Sequence, residues 1–247
     1  MTPDTSPVLA GRYGARAVGH GVGAALPRAP IDGLASLPVE PLTGRGRPRV
    51  VVHAAVSLDG ATSGFTPAVG LFYELAATWD EDVTLTGADT ILAQEPALAT
   101  AAQPGPSLTG PLLVVVDSRA RVSRWAALRD AGHWSGVLAV SSERTPPRPE
   151  AVPELVLGRD RVDLPALLGA LGRRPGVDVV RVDSGGALTG ALLAEGLVDE
   201  ISLLVHPVLT GGRRWWGATP LPLTSLTSID CREPGGGLVW SRYATGT

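Results

Sequence analysis

The 247 residues, 44% of them hydrophobic, suffice for one large domain or two small ones, and nothing mid-chain suggests a linker. A net charge of −3 argues against nucleic acid and anionic membrane as bulk partners, because both require a basic face. All 21 basic residues are arginine, which excludes Schiff-base lysine chemistry and a P-loop lysine; the lone Cys231 excludes intrachain disulfides and multi-thiolate zinc.

Residues 1–46 mix Gly, Pro, Ala and Arg without strand or helix period until Ile31–Leu37, so an irregular arm or a disordered tail is expected there. The start has neither a cationic cluster nor an apolar core of signal-peptide length, and the longest apolar runs, Leu112–Val116 and Ile201–Val205, are strand-sized. A cytoplasmic protein is expected. Arg49–Val56 is a valine-rich strand ending in the turn Ser57-Leu58-Asp59-Gly60. Leu71, Phe72, Leu75 and Ala76 recur at helical spacing and continue to Trp79. Val83–Thr86 is a short strand, and Gly87–Ala93 a short helix stopped near Pro96. Pro111–Asp117 is a buried strand, Trp125–Arg129 a helix, Gly136–Val140 a strand and Thr145–Pro149 a surface loop. Leu155–Leu157 is strand-like, and Asp163-Leu164-Pro165 opens a helix with Asp as N-cap and Pro in the first turn.

Val177–Val182 is the next strand, and the helix after it runs to about Glu195. Between them, Asp183-Ser184-Gly185-Gly186 places two glycines at a helix start, where bare backbone N–H groups and the helix dipole favour an anion. A nucleotide phosphate is one occupant; a tight turn without ligand is the alternative. The bend is not a Rossmann fingerprint, since it lacks G-x-G-x-x-G and comes after most of the strands. Asp199–Val208 is apolar at nearly every position, so both its faces are expected to be covered. Thr227–Glu233 and Gly237–Ala244, parted by Pro234-Gly235-Gly236, form a hairpin. The order predicts an α/β fold: one domain over residues 47–247, a mixed and mainly parallel sheet flanked by helices, and a C-terminal antiparallel hairpin. Cys231 is expected in the core. His20, His53, His133 and His206 are too scattered for a metal site, and His53 and His206, inside strand-like runs, suit structural roles. Trp215-Trp216 is either a plug for a pocket or dimer seam, or a surface loop anchored on the core.

Taken together, Asp183-Ser184-Gly185-Gly186, Gly190-Ala191-Leu192-Leu193, Gly196-Leu197-Val198-Asp199-Glu200 and Pro207–Gly212 resemble the riboflavin-pathway pyrimidine reductases. These are the reductase half of the bifunctional deaminase–reductases and have a dihydrofolate-reductase-like fold. Ser57-Leu58-Asp59-Gly60, Gly87-Ala88-Asp89-Thr90 with Glu95-Pro96, and Val116-Asp117-Ser118-Arg119 match in order, so the resemblance spans about residues 47–243. It implies NADPH at the carboxyl ends of the strands, a small-molecule substrate and usually a homodimer. By matched position, Ser184, Gly185, Gly186 and Leu188 hold the diphosphate, Gly87 and Thr90 approach the cofactor from the other side, and Asp117 and Ser118 lie near the adenosine. Ala55 and Ser57 line the nicotinamide slot, while Arg119, Ser141, Ser142 and Arg144 are candidates for the 2′-phosphate.

The resemblance also implies hydride transfer to C1′ of a ribosylamino-pyrimidine phosphate. A nearby carboxyl group would protonate the substrate or stabilise an iminium, with Asp59, Glu95 and Asp183 as candidates in that order. Asp59 as the cap of its own turn is the alternative. This chain departs from the family where Ala61 replaces a lysine, Leu92 a basic residue, Glu95 an aspartate and Asp183-Ser184-Gly185 a Glu-Gly-Gly. Each lost cation removes a charge-assisted hydrogen bond of about 1.5–3 kcal/mol, and Arg121, Arg213 and Arg214 are the candidates to compensate. A dihydrofolate-type or specialised-metabolism reductase acting on an unphosphorylated substrate therefore stays open, as does an idle nucleotide-binding protein. No His-x-Glu with Pro-Cys-x-x-Cys occurs, so zinc deamination is not expected.

Overall fold

Strand β1 (Arg49–Ser57) is buried at every position but its first, which a strand achieves only in the middle of a sheet covered on both faces. The computed structural model describes residues 46–246, so the arm expected over residues 1–46 lies outside the described residues apart from Gly46. After β1 come α1 (Val69–Ala76), β2 (Val83–Gly87), α2 (Ala88–Leu98), β3 (Leu112–Val116), α3 (Trp125–Asp130), β4 (Gly136–Ser141) and β5 (Glu154–Val156). The chain continues through α4 (Leu164–Gly172), β6 (Val179–Val182), α5 (Gly186–Ala194), β7 (Glu200–His206), β8 (Leu226–Gly235) and β9 (Leu238–Thr245). One nine-stranded sheet results, in the order β5-β4-β3-β2-β6-β1-β7-β9-β8. Neighbours from β5 to β7 are parallel, while β9 is antiparallel to both β7 and β8. The α/β class and the terminal hairpin are as expected.

Val50, Val52, Val83, Leu85 and Val182 point to one face, where Leu167, Leu168 and Leu171 of α4 and Leu188 and Leu192 of α5 cover them. On the other face α1 packs over Val51, Ala55 and Leu204, and α2 and α3 pack over Leu113, Val115 and Ala139. Polar side chains separate these two clusters. Arg181 is in register with Val51 on one side and Thr84 on the other, and all three are buried. The amino ends of the strands are tied by ions: Arg47 grips Asp199 at 2.6 and 2.8 Å, and buried Glu200 accepts from Arg49 and, at 2.6 Å, from Arg242. Asp163 caps α4 through the Ala166 N–H at 2.9 Å, as its spacing predicts.

Three expectations are corrected. Helix α2 does not stop near Pro96 but runs through it to Leu98. Pro96 denies the Leu92 carbonyl its N–H, yet the added turn buries Leu98 to 2% exposure, which offsets the missing bond. Cys231 is exposed, because β8 is the edge strand and lies almost wholly in the open. Strand β7 is covered unequally: Glu200, Ser202, Leu204 and His206 are buried on one face, while on the other Ile201 is buried and Leu203 and Val205 are half-buried against the core.

Candidate active site

The loops that follow β1, β2, β6 and β7 meet at the carboxyl ends of the parallel strands, where open α/β sheets place their ligands. After β1, the Ser57 hydroxyl donates to Asp59 Oδ1 at 2.6 Å and accepts the Ala61 N–H at 2.9 Å. Asp59 also accepts the Thr210 N–H at 3.2 Å and the Gly211 N–H at 2.7 Å from the loop after β7. The Ser57 hydroxyl first, then the Gly211 and Thr210 amides, hold the Asp59 carboxyl below the usual range. These contacts describe a cap, one that reaches across to a second loop, and they favour the anion over a proton donor. The two loops interlock further: Leu58 N–H donates to the Val208 carbonyl at 2.9 Å, Trp215 N–H to that of Gly60 at 2.9 Å, and Ala61 forms a β-bridge with Arg214.

The bend after β6 is joined to the end of β2. Gly87 N–H donates to Ser184 Oγ at 3.1 Å, and Gly185 N–H to Thr90 Oγ1 at 3.1 Å. A Cβ on Gly87 would sit 3.1 Å from that same Ser184 hydroxyl. Gly185 is the N-cap of α5 and no side chain caps the helix, so its first-turn amides carry no side-chain acceptor. That arrangement fits a diphosphate held by Gly186 and Leu188 amides. Two of the glycines have a further reason: a Cβ on Gly186 would lie 2.3 Å from Gly217 N, and one on Gly190 2.3 Å from the Trp216 carbonyl oxygen. The Trp215-Trp216 loop is thus seated on α5, with Trp215 in the core and its ring edge-on to Trp216 at 5.2 Å. An anchored loop, one of the two readings, is what the contacts describe.

Asp183 lies 2% exposed at the end of β6 and accepts from Arg181 Nη1 at 3.0 Å, while Arg181 also donates to Glu81 at 3.0 and 2.9 Å. Burial pushes the Asp183 carboxyl up against the opposing pull of Arg181. Burial works against the charge on Arg181, but Glu81 and Asp183 outweigh it and its pKa is raised. Beside this chain the Thr86 hydroxyl, one residue beyond the Leu85–Val182 pair, is fully buried without a hydrogen-bond partner. Glu95 Oε1 on α2 is likewise buried without one. Ala55 lies under α1 in the core, next to Phe72.

Towards β3 and β4 the site is more closed than the spacing suggests. Asp117 is 1% exposed and spends its carboxylate on the Arg121 and Val122 amides at 3.0 Å each and on Arg148 at 2.6 Å. The Ser118 carbonyl accepts from Thr145 Oγ1 at 3.0 Å, which ties the loop after β3 to the loop after β4. Ser141 is buried, Arg144 pairs with Asp160 at 2.8 Å, and Arg119 is exposed. Arg148 and the Glu81–Arg181 pair were invisible in the sequence: Arg148 sits in a proline-rich stretch that signals surface, and Glu81 lies 100 positions from Arg181. A lone arginine inside the β-branched run Val179–Val182 was the one available sign of a buried partner.

Both strand histidines are structural. His53 Nε2 faces the Phe72 carbonyl at 3.0 Å and its Nδ1 meets Ser202 Oγ at 2.9 Å, with burial first and Arg181 next lowering its pKa to about 3. His206 Nε2 accepts the Ala68 N–H at 2.9 Å.

A glycine bend and an uncapped helix start at the carboxyl edge of a parallel sheet define an α/β fold with a candidate small-molecule site there. The chain belongs to the RibD C-terminal domain family, whose profile matches residues 48–239. It is 33% identical over 186 residues to the 2,5-diamino-6-ribosylamino-4(3H)-pyrimidinone 5′-phosphate reductase of Archaeoglobus fulgidus, covering 68% of this chain and 84% of that one. The Saccharomyces cerevisiae riboflavin biosynthesis reductase Rib7 superposes with a TM-score of 0.60 at 17% identity, over 83% of this chain and 93% of that one. Acinetobacter baumannii RibD does so at 0.60 and 20% identity over 82% of this chain, which spans only 59% of that longer protein. The chain is therefore an oxidoreductase of the riboflavin-biosynthesis pyrimidine reductase family.

Proposed function

We propose that the chain reduces a ribosylamino-pyrimidinone 5′-phosphate to the ribityl compound with NADPH, in the cytoplasm and as a homodimer. The observation that carries the reading is the uncapped start of α5, flanked by Ser184, Gly87 and Thr90 at the carboxyl ends of β2 and β6. When bound, NADPH supplies a hydride. The chain's part is binding and orientation: the amides of Gly186 and Leu188 take the diphosphate, and the Ser184–Gly87 and Gly185–Thr90 bonds fix the bend that presents them. Arg119, Ser141 and Arg144 would border the adenosine end, where Arg119 and Arg144 are both exposed and Arg144 is paired with Asp160. Asp59 fixes the rim through the loop after β7. The remaining carboxyl candidates are Asp183, which is buried and bound to Arg181, and Glu95, which has a buried oxygen without a hydrogen-bond partner.

One observation favours an unphosphorylated substrate instead. Position 61 is a fully buried alanine, so it supplies no cation itself, and the nearest arginine across its β-bridge is Arg214. Purified protein is mixed with NADPH or NADH and with the ribosylamino-pyrimidinone, with and without its 5′-phosphate, and absorbance at the nicotinamide band is followed. Oxidation of NADPH that requires the phosphorylated substrate is expected. Turnover of the dephosphorylated compound alone would establish the second reading, and binding of neither nucleotide would end both.

A further inference from the structure

The turn that follows β3 is held more firmly than a surface connection requires. The Asp117 carbonyl accepts the Ala120 N–H at 3.2 Å, and the Asp117 carboxylate accepts the Arg121 and Val122 amides at 3.0 Å each. Arg148 arrives from the loop after β4 with its side chain only 4% exposed, and it grips the same residue twice. Its Nη1 donates to Asp117 Oδ2 at 2.6 Å and its Nη2 to the Asp117 carbonyl at 2.9 Å. Its Nε donates to Glu154 Oε1 of β5 at 2.9 Å, and the guanidinium lies 5.4 Å over the Trp125 ring. Two more residues of that loop tighten the hold. Thr145 Oγ1 donates to the Ser118 carbonyl at 3.0 Å, and Glu150 accepts the Trp125 and Ala126 amides at the start of α3. Within the clamped turn Ala120 has a φ of 51°, a left-handed conformation that an alanine keeps only where its surroundings impose it. Beside it, Arg119 is exposed and has no carboxylate partner among the described residues, whereas Arg121 is paired with Asp89 at 2.6 Å.

We infer that Arg148 is a positioning residue for the cofactor: by fixing the turn over Asp117–Arg121 it holds Arg119 ready to pair with the 2′-phosphate of NADPH. This role rests on the NADPH reading above and deepens it. Strand β3 neighbours β2, so its carboxyl end lies about 4.8 Å beyond that of β2, on the side away from β6. A dinucleotide anchored at the bend between β2 and β6 extends along this edge either towards β3 or towards β1 and β7. On the β1 and β7 side the loops are bonded to each other, Gly211 to Asp59 and Trp215 to Gly60. On the β3 side a cation stands unpaired on a turn that cannot relax. A guanidinium already in place binds a phosphate monoester better than one that must be ordered on binding, because the side-chain entropy is lost beforehand. The conformation of Ala120 shows that the clamp maintains a particular placement as well as packing. Arg148 is itself buried and all three of its nitrogens are taken by Asp117 and Glu154, so it acts through the turn.

Full-length protein is titrated with NADPH and with NADH by nicotinamide fluorescence, beside Arg148→Lys, Arg119→Gln and the double variant, with urea midpoints to establish that each is folded. Lysine keeps a positive charge next to buried Asp117, but one ammonium cannot reproduce the contacts of the guanidinium fork. Thr145→Val, which releases the Ser118 carbonyl from the same loop, serves as the second variant if Arg148→Lys does not fold. The wild type is expected to bind NADPH more tightly than NADH. Arg148→Lys and Arg119→Gln are each expected to weaken NADPH about ten-fold, the worth of one charge-assisted hydrogen bond, and to leave NADH within about two-fold. The double variant is expected to lose no more than Arg119→Gln alone, because the turn then has no cation to place. Equal weakening of both nucleotides by Arg148→Lys, or losses that add in the double variant, reduce Arg148 to a packing role and overturn the inference. Unchanged NADPH binding in Arg148→Lys and Thr145→Val does the same. A wild type that binds both nucleotides alike overturns it together with the preference for NADPH, and one that binds neither overturns the cofactor reading as well.

Discussion

Single residues in this molecule are constrained mostly by what approaches them from distant segments. Gly186 looks in the sequence like a ligand-facing glycine and Gly190 only like part of a family motif, yet both are required by the backbone of residues 216–217 crossing α5. Gly190→Ala is expected to destabilise the fold by about 1–3 kcal/mol, because its Cβ collides with the Trp216 carbonyl rather than a flexible side chain. Gly70 in α1 has nothing within 4 Å of the position a methyl group would take, so Gly70→Ala is expected to stabilise by about 0.5–1 kcal/mol through helix propensity. Urea midpoints of the two variants check both signs. Asp59 teaches the same lesson: its turn was readable, but its acceptance of the Thr210 and Gly211 amides links positions about 150 residues apart.

At the scale of elements, local rules sufficed where local chemistry decides. The Asp163-Leu164-Pro165 start of α4 combines a side-chain cap with proline in the first turn, and both are present in the structure. Asp163→Ala is expected to cost about 1 kcal/mol, read as a lowered midpoint of thermal or urea unfolding, with the cofactor site untouched. Local rules failed at α2 and β7. Proline normally ends a helix, but burial of Leu98 rewards another turn; an apolar strand predicts two fully covered faces, but Leu203 and Val205 of β7 are only half-buried. The bend after β6 was readable as an anion site from Ser184-Gly185-Gly186, whereas Thr90, which fixes it, lies 95 positions away and had no sequence signature beyond its family motif.

The whole molecule places ionisable groups in a buried band across the sheet, and this sets its response to acid. His53 titrates near 6.5 in the unfolded chain and near 3 when buried between Phe72, Trp79 and Ser202. Between those values the unfolded chain binds the extra proton, so stability is full above pH 6.5 and falls as pH is lowered towards 3. The slope from this residue approaches about 1.4 kcal/mol per pH unit. His53→Gln, neutral throughout, is expected to flatten the pH dependence of the urea midpoint between pH 7 and 5 relative to wild type. Asp183 and the other histidines are common to both proteins, so the difference isolates His53. An equal loss in both would remove His53 as the acid-sensitive group.

Periodicity, capping residues and turn chemistry act over a few positions, which is why the amino-acid order alone determined the α/β class, nearly every element and the glycine bend of the site. It also carried the family motifs, since these lie on contiguous stretches at strand ends. Only the tertiary structure decided which distant carboxylates are paired, as with Glu81 on Arg181. It alone seated the tryptophan loop on α5 and left Leu203 and Val205 of β7 half-buried. Those outcomes depend on distances between segments roughly 30 to 150 residues apart, and burial and charge pairing are set by proximity in space, which no local pattern encodes.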